Sequence, residues 1–258
     1  MIHLEKSGPI ARLTLDRPEK HNAFDEETIE SLIGHLEDVA VDPTLRVLLL
    51  RATGASFCAG GDIAWMQRMA RFSMEENRRD AGRLARLMHL LFTLPMPSIA
   101  LVQGPAYGGG LGLVACCDFA LAAPEARFCL SEVRIGLIPS VIAPYLLRAL
   151  GPRLAQRLAL SAEIFSAEQA LAWQLIQAIH PKAELEVAAS TLAEQLLANG
   201  PEAMRAAKKL LAELDPIDER ERAMTVERIA AQRASREGQE GLAAFLEKRP
   251  PHWRRDVR

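Results

Sequence analysis

The chain has 258 residues, of which 49% are hydrophobic and 25% charged, and its formal net charge is −2 at pH 7. This composition is typical of a globular protein and excludes a largely disordered chain. The small net charge gives no reason to expect nucleic acid or an anionic membrane as a partner, and the length suffices for one large buried core.

The first half of the chain alternates short apolar segments with helical ones. Residues 10–16 alternate apolar and polar side chains, which predicts a strand, and residues 17–22 have the composition of a turn. Asp25 is predicted to cap a helix that runs to about residue 40. Apolar runs at residues 46–51 and 98–102 are typical of buried strands, and each precedes a glycine-containing turn and a helical segment. This recurrence of strand, turn and helix predicts a layered α/β fold.

The carboxy-terminal part of the chain is rich in Ala, Leu, Glu, Gln and Arg. Helical periodicity covers residues 184–197, 201–211 and 219–237. We therefore predict two regions, a core over residues 1–199 and a helical region over residues 200–258. The helical region has no coiled-coil repeat, so we expect its helices to pack on the core or on another subunit.

The cysteines and the amino terminus bear on the compartment. No C-x-x-C pair and no spacing suited to zinc occurs among the four cysteines, so we expect reduced, buried thiols and no metal site. The cysteines are Cys58, Cys116, Cys117 and Cys129. The amino terminus lacks the apolar segment of a secretory signal, and no apolar run reaches membrane-spanning length. These features predict a cytoplasmic protein without membrane contact, and a processed organellar protein would show the same features.

Two glycine-containing turns follow the two predicted buried strands. The first is FCAGGD at residues 57–62, and the second is the GGG run at residues 108–110, which opens an apolar helical segment. If the strands are neighbours, both turns emerge at one edge of the sheet, and two backbone N–H groups can converge on one oxygen. Either turn alone is better explained as a tight turn. The pair, with the carboxylate Glu132 on the next hydrophobic segment, favours chemistry at a carbonyl.

Five ordered motifs resemble the crotonase superfamily of enoyl-CoA hydratases and isomerases over essentially the whole chain. They are RPEKHNAF at 17–24, FCAGGDI at 57–63, the segment 104–118, FCLSEVRIGLIP at 128–139 and EGLAAFLEKR at 240–249. The resemblance implies an α/β spiral of repeated ββα units, with carboxy-terminal helices that build homotrimers, usually stacked as homohexamers. It also implies an acyl-CoA substrate, with coenzyme A as part of that substrate and no tightly bound cofactor.

The resemblance also implies site residues. The thioester oxygen would lie between the N–H groups of Gly61 and Gly109, and Glu132 matches a catalytic glutamate of the family. Lys248 resembles a lysine that reaches a CoA phosphate, in this subunit or a neighbouring one, although from the bare sequence it is an ordinary solvated charge. The residues implied along the adenine and pantetheine of CoA are Asn22, Ala23, Ala59, Gly60, Asp62 and Ile63.

The chain departs from straight-chain hydratases at two places. Gly112 occupies the position of their first glutamate, and residues 140–145 replace a glycine-rich stretch. Residues 107–118 and 129–145 look closest to hydratases of 3-methylglutaconyl-CoA and isohexenylglutaconyl-CoA. The distal carboxylate of such a substrate should bind a cation. Candidates near the motifs, each equally explained as a surface arginine, are Arg68, Arg71 and Arg134.

The leading hypothesis is reversible addition of water across the 2,3-double bond of an enoyl-CoA, with a branched or carboxylated acyl group. Glu132, its pKa tuned by burial, would handle both proton movements, or an unidentified group would activate the water. The first alternative is a Δ3,Δ2-enoyl-CoA isomerase in which Glu132 is the single acid/base.

The second alternative is an RNA-binding moonlighting protein, because one relative of the methylglutaconyl type also binds RNA. Glutamates are interleaved with the basic residues that such a role would use, so a solvated helix face explains them better. These residues are Arg205, Lys208, Lys209, Arg220, Arg222, Arg228, Arg233 and Arg236.

Overall fold

Nine strands and eleven helices occur in the computed structural model, which describes residues 1–214 and 218–255. The strands are β1 (Ile2–Ser7), β2 (Ile10–Leu15), β3 (Val47–Ala52), β4 (Ser98–Val102), β5 (Ala106–Tyr107), β6 (Phe119–Ala122), β7 (Arg127–Cys129), β8 (Phe165–Ser166) and β9 (Ala178–Ile179). The helices are α1 (Glu26–Val41), α2 (Ile63–Met69), α3 (Met74–Phe92), α4 (Gly109–Cys116), α5 (Ala143–Ser161), α6 (Ala167–Ala172), α7 (Leu185–Leu197), α8 (Pro201–Leu214), α9 (Glu219–Ala234), α10 (Arg236–Leu246) and α11 (His252–Arg255).

The larger sheet has six strands in the order β1-β2-β3-β4-β6-β9, and only the β1–β2 pair is antiparallel. Alternate residues of β3 point to opposite faces, so Leu48 and Leu50 join the main core while Val47 and Leu49 pack against α7. Both faces are therefore covered, as expected for parallel strands with apolar runs. This arrangement confirms the predicted layered α/β fold.

The smaller sheet, in the order β5-β7-β8, connects the second glycine turn to the segment that carries Glu132. Ala106 pairs with Phe128 and Tyr107 with Cys129 in a parallel ladder. A single bridge joins Cys58, in the first glycine turn, to Ala106. The segments that follow Cys58, Tyr107 and Cys129 therefore begin side by side. Together they form the candidate site.

The elements predicted from local sequence patterns are confirmed for most of the core. Asp25 caps α1, because its Oδ1 accepts a hydrogen bond from the Thr28 amide at 2.8 Å. The helical periodicity predicted over 219–237 is confirmed, but it belongs to two helices, α9 and α10, which are separated at Ser235. Ser235 ends α9 and caps α10 by accepting from the Gly238 amide, and Gly238 packs directly on the Gln232 carbonyl. Strand β1 and helix α5 were not predicted.

The helical region predicted for residues 200–258 covers the core near the candidate site. Helix α9 packs along α3, and α10 packs on the 3-10 turn Glu132–Ile135, where Gly241 touches the Ile135 carbonyl. The boundary at residue 199 and the role of this region in oligomers stay predictions. No helix in the described part of the chain is long and apolar enough to cross a membrane.

Candidate active site

A cleft of about 790 Å³ lies between the two glycine turns, the 3-10 turn at Glu132 and the helices α9 and α10. Gly61, Gly109 and Glu132 all line it, so the structure brings the three predicted catalytic positions together. Apolar side chains form much of its wall, including Phe24, Trp65, Met66, Met69, Leu84, Leu137, Ile142, Ile229 and Phe245. Such a wall lowers the local polarity and strengthens electrostatic interactions inside the cleft.

The first glycine turn leaves the Gly61 amide without a partner among residues 1–214 and 218–255. Phe24 donates its amide to the Gly60 carbonyl, and Asp62 donates to the Phe24 carbonyl, both at 2.7 Å. The C=O and N–H of a trans peptide point in opposite directions, so the Gly61 N–H points away from Phe24. No group in the described part of the chain accepts a hydrogen bond from it. Gly60 has φ +90°, a conformation that favours glycine.

The second glycine turn begins α4 and packs on the first. Gly108 turns the chain with φ +51° and donates its amide to the Cys129 carbonyl. Gly109 is the first residue of α4, and a β-carbon added to it would lie 2.7 Å from the Phe24 ring. Its amide also finds no acceptor within the described residues. Both turns therefore contact Phe24, and both present an unpaired N–H donor on residues that line one cleft.

Glu132 lies next to the second turn. Its Oε1 is 3.1 Å from the point where a β-carbon on Gly108 would stand. Its Oε2 is closed to solvent and has no hydrogen-bond partner among the described residues. Burial raises the pKa of this carboxyl from the ordinary 4.5 to about 7. The group is therefore able to accept and to donate a proton near neutral pH, beside the start of α4.

The position of the missing glutamate is filled by an apolar side chain. A β-carbon on Gly112 would overlap the Ile142 side chain and lie 3.3 Å from Met88 Cε. Ile142 belongs to the 140–145 segment that also departs from straight-chain hydratases. Since interiors are close-packed, a carboxyl group at residue 112 has no room beside Ile142. The sequence and the packing therefore leave Glu132 without a partner glutamate at that position.

The residues predicted along CoA fall into two groups. Ala23, Ala59, Gly60, Asp62 and Ile63 line the cleft. The carboxylate of Asp62 also caps α2, because it accepts from the Ala64 and Trp65 amides.

Asn22 does not line the cleft, and its predicted place at the CoA surface stays a prediction. Asn22 is buried beneath the turn, where it accepts from the Arg17 amide and donates to the carbonyls of Thr53 and Ser56. Lys248 is exposed and lies outside the cleft lining, whereas the next residue, Arg249, is part of it. A role for Lys248 at CoA stays a prediction.

The arginines considered as partners of a distal carboxylate differ in their position relative to the cleft. Arg68 and Arg71 lie outside the cleft, and Arg68 pairs with Glu26 at the surface. Arg134 lines the cleft. Sequence reasoning missed Arg233, which lines the cleft and is 4% exposed. The interpretation of Arg233 as part of a solvated helix face is therefore wrong. The sequence does contain a signal for this burial, because Arg233 lies one helical turn after the apolar Ile229.

Several of the other basic residues considered for RNA binding are paired with neighbouring carboxylates. Lys208 lies 2.7 Å from Asp118, and Lys209 lies 3.8 Å from Glu213. Such pairs reduce the free positive charge that a nucleic acid would meet.

Comparison with known proteins gives consistent results. The family model described as enoyl-CoA hydratase/isomerase matches residues 5–256. The crystal structure of an enoyl-CoA hydratase from Shewanella pealeana has 47% sequence identity and a TM-score of 0.81, covering 98% of this chain and 95% of that chain. A crotonyl-CoA hydratase of Syntrophomonas wolfei is 34% identical over 96% of this chain and 95% of its own length. A carnitinyl-CoA dehydratase of Salmonella enteritidis is 32% identical over 98% of both.

Proposed function

Since this chain belongs to the enoyl-CoA hydratase/isomerase family, we propose that it adds water reversibly across the 2,3-double bond of an enoyl-CoA thioester. The predicted superfamily membership and the crotonase fold are confirmed by the family match and by the solved relatives. Coenzyme A enters as part of the substrate.

The main support for the proposal is the position of the Glu132 carboxyl group. It lies beside Gly108, at the start of α4, in a cleft that Gly61 and Gly109 also line. A carbonyl oxygen that gains negative charge needs hydrogen-bond donors, and the amides of Gly61 and Gly109 are unpaired donors. The reacting carbons next to that carbonyl would then lie within reach of Glu132.

The proposed addition uses one carboxyl group twice. The Glu132 carboxylate removes a proton from water as the water oxygen forms a bond to C3. The electron pair of the double bond moves toward the thioester oxygen, where the two amides stabilise the enolate. The protonated carboxyl then delivers its proton to C2, and the thioester carbonyl re-forms. Dehydration follows the same steps in reverse, so one correctly placed group serves both directions.

Oxygen labelling tests this reaction directly. With crotonyl-CoA in water that contains heavy oxygen, a hydratase places the label in a hydroxyl group on C3. The buried Glu132 carboxyl group, with Ile142 packed where residue 112 would carry a second one, also suits the isomerase alternative, in which Glu132 moves a proton between C2 and C4. An isomerase converts a 3-enoyl-CoA to its 2-enoyl isomer and incorporates no oxygen. Absence of labelled product from every 2-enoyl-CoA tested would reject the hydratase proposal.

The rate of hydration should depend on pH through Glu132. Because the carboxylate form removes the proton from water, and burial raises its pKa to about 7 in the protein without substrate, kcat/KM should rise with pH and level off above about 7. An unburied glutamate would instead give a flat profile between about pH 6 and 8. The measurement is kcat/KM for crotonyl-CoA across this range. A rate that falls as pH increases through 7 would contradict the proposed role.

We further propose that the acyl group is branched or carries a distal carboxylate, of the glutaconyl type. The support is the resemblance at residues 107–118 and 129–145, together with the apolar cleft that extends past Trp65 toward α9. Kinetic comparison of crotonyl-CoA, glutaconyl-CoA and 3-methylglutaconyl-CoA separates these classes. A strong preference for crotonyl-CoA would count against the carboxylated substrate.

The CoA portion is proposed to follow Ala23, Ala59, Gly60, Asp62 and Ile63 along the cleft. Lys248 would meet a CoA phosphate, in this subunit or a neighbouring one. We also propose that residues 200–258 build a homotrimer or homohexamer. Support comes from an exposed apolar group on α8 formed by Leu210, Leu211 and Leu214.

A further inference from the structure

A buried ion pair lies at the α9 wall of the cleft. Arg233 Nη1 donates to Asp80 Oδ2 at 2.7 Å, and the indole N–H of Trp65 donates to Asp80 Oδ1 at 3.1 Å. The Arg233 guanidinium also lies over the Trp65 ring, 5.8 Å from its centre. Both oxygens of Asp80 are therefore used, Oδ2 by the arginine and Oδ1 by the indole.

The remaining donors of Arg233 are unused. Its Nε is buried and makes no hydrogen bond, and Nη2 bonds no group within residues 1–214 and 218–255. Nε and Nη2 form the edge of the guanidinium that binds a carboxylate at two points. A buried charge with unsatisfied donors is costly, and apolar residues commonly replace such pairs without loss of stability. The free edge therefore suggests a ligand.

We propose that Arg233 is a specificity-determining residue that binds a carboxylate at the far end of the acyl group, with Asp80 and Trp65 as positioning residues. This inference rests on the proposed hydratase function. The ring of Trp65 lies 3.4 Å from the place of a β-carbon on Gly61, so it spans the distance from the thioester site to Arg233. An acyl chain that passes Trp65 and Ile229 reaches the guanidinium.

The other cations that line the cleft are less suited to this role. Arg249 is held at two points by Glu240, at 2.7 and 2.9 Å. Lys20 is exposed and lies 3.9 Å from Asp62, in the turn assigned to CoA. Arg134 is exposed and donates to the Ala162 carbonyl. Arg233 combines burial, a hydrogen bond that anchors it to Asp80, and donors that bond none of the described residues.

In the present conformation Nε is closed to water. Arg233 must therefore turn slightly before this edge binds a carboxylate. The hydrogen bond from Nη1 to Asp80 provides the point about which it turns. The negative charge of Asp80 already balances the positive charge of Arg233. A bound substrate carboxylate therefore gives the site a net negative charge. Removal of the Asp80 charge should therefore strengthen the preference for that substrate.

The Arg233–Asp80 pair also joins α3 to α9. If this were its only role, its removal would affect substrates with and without a distal carboxylate equally. A matched control exists on the same two helices. Arg78 on α3 binds Glu227 on α9 through Nε at 2.8 and 2.9 Å, at the surface and outside the cleft. The Arg78→Met variant removes a connection between the same helices without touching the cleft.

The experiment measures kcat/KM for glutaconyl-CoA and for crotonyl-CoA, which differ by the terminal carboxylate. The Asp80→Asn/Arg233→Met variant removes both charges together and so avoids leaving one buried charge unpaired. We expect the ratio of glutaconyl-CoA to crotonyl-CoA activity to fall about 10- to 100-fold, the range of a charged hydrogen bond. Arg78→Met should leave the ratio unchanged, and Asp80→Asn alone should raise it.

The outcomes separate this inference from the proposed function. An equal fall for both substrates, or an unchanged ratio, in Asp80→Asn/Arg233→Met overturns the role of Arg233. If that variant fails to fold, a raised ratio in Asp80→Asn supports the role instead, and a reduced or unchanged ratio overturns it. A wild-type protein that hydrates crotonyl-CoA but not glutaconyl-CoA also overturns the inference and leaves the hydratase proposal intact. A wild-type protein that hydrates no enoyl-CoA rejects both.

Discussion

Replacing Glu132 with glutamine should lower kcat about 1,000-fold, within the range of about 100- to 10,000-fold that general acid–base catalysis contributes. Glutamine preserves the shape of the side chain but neither removes a proton from water nor delivers one to C2. The Ile142 side chain fills the space beside Gly112, so a second carboxyl group does not compensate there. KM should change little, because Glu132 acts on the reacting atoms and not on the CoA portion.

A matched control for Glu132→Gln is Glu19→Gln. Glu19 also lines the cleft, but it is exposed and belongs to the turn at residues 18–20. Its substitution should leave kcat within a factor of about two, as for a surface charge that is far from the chemistry. A Glu132→Gln enzyme that retains more than about a tenth of the wild-type kcat would remove Glu132 from the proposed reaction.

The same variant has a stability signature that is independent of catalysis. The pKa of Glu132 is raised from 4.5 to about 7, so the folded state holds this proton more tightly than the unfolded state. The free energy of unfolding should therefore decrease as pH rises from about 4.5 to 7, by about 3 kcal/mol at about 1.4 kcal/mol per pKa unit. Glu132→Gln should lack this decrease. Urea unfolding at about pH 5 and pH 8 measures it in both proteins.

Replacing Gly109 with proline should lower kcat about 100- to 1,000-fold relative to Gly109→Ala, which corresponds to the loss of one donor to a developing oxyanion. Gly109 is the first residue of α4, where proline is well tolerated because its missing N–H makes no helical hydrogen bond. Both variants add a β-carbon that meets the Phe24 ring, so they share the steric cost. The two variants differ in the backbone N–H and in the ring carbon that takes its place, so proline both removes the donor and closes its position to the thioester oxygen.

The comparison between Gly109→Pro and Gly109→Ala is made with crotonyl-CoA, alongside thermal unfolding of both variants. Similar melting temperatures with the predicted difference in kcat would support a donor role for the amide. Equal kcat values in two folded variants would mean that the Gly109 N–H does not stabilise the transition state. The thioester oxygen would then have to be held elsewhere.

Much of this site was predictable because its parts are local sequence patterns. A buried strand followed by glycines, as at residues 57–62 and 108–110, determines a turn at the end of a strand. The order of these motifs then pointed to Gly61, Gly109 and Glu132, which the structure places in one cleft. The Asp25 cap was predictable for the same reason, since its hydrogen bond spans only three residues.

The features that were missed depend on contacts between distant residues. Ile142 overlaps the side-chain position of Gly112, thirty residues earlier in the chain, and no local pattern indicates this. Asn22 carries a turn signal, but its burial depends on the carbonyls of Thr53 and Ser56. Arg233 was assigned to a solvated face because glutamates surround it in sequence, whereas its partner Asp80 lies on another helix.

The central claim is that two main-chain amides hold the thioester oxygen within reach of one carboxyl group. A crystal structure of the Glu132→Gln variant with crotonyl-CoA bound tests it most directly, because slow turnover preserves the substrate. We predict that the thioester oxygen lies about 2.7–3.1 Å from the amide nitrogens of both Gly61 and Gly109, with the substituted side chain beside C2 and C3. A thioester oxygen that contacts neither amide, or a residue 132 side chain turned away from the acyl group, would contradict the account.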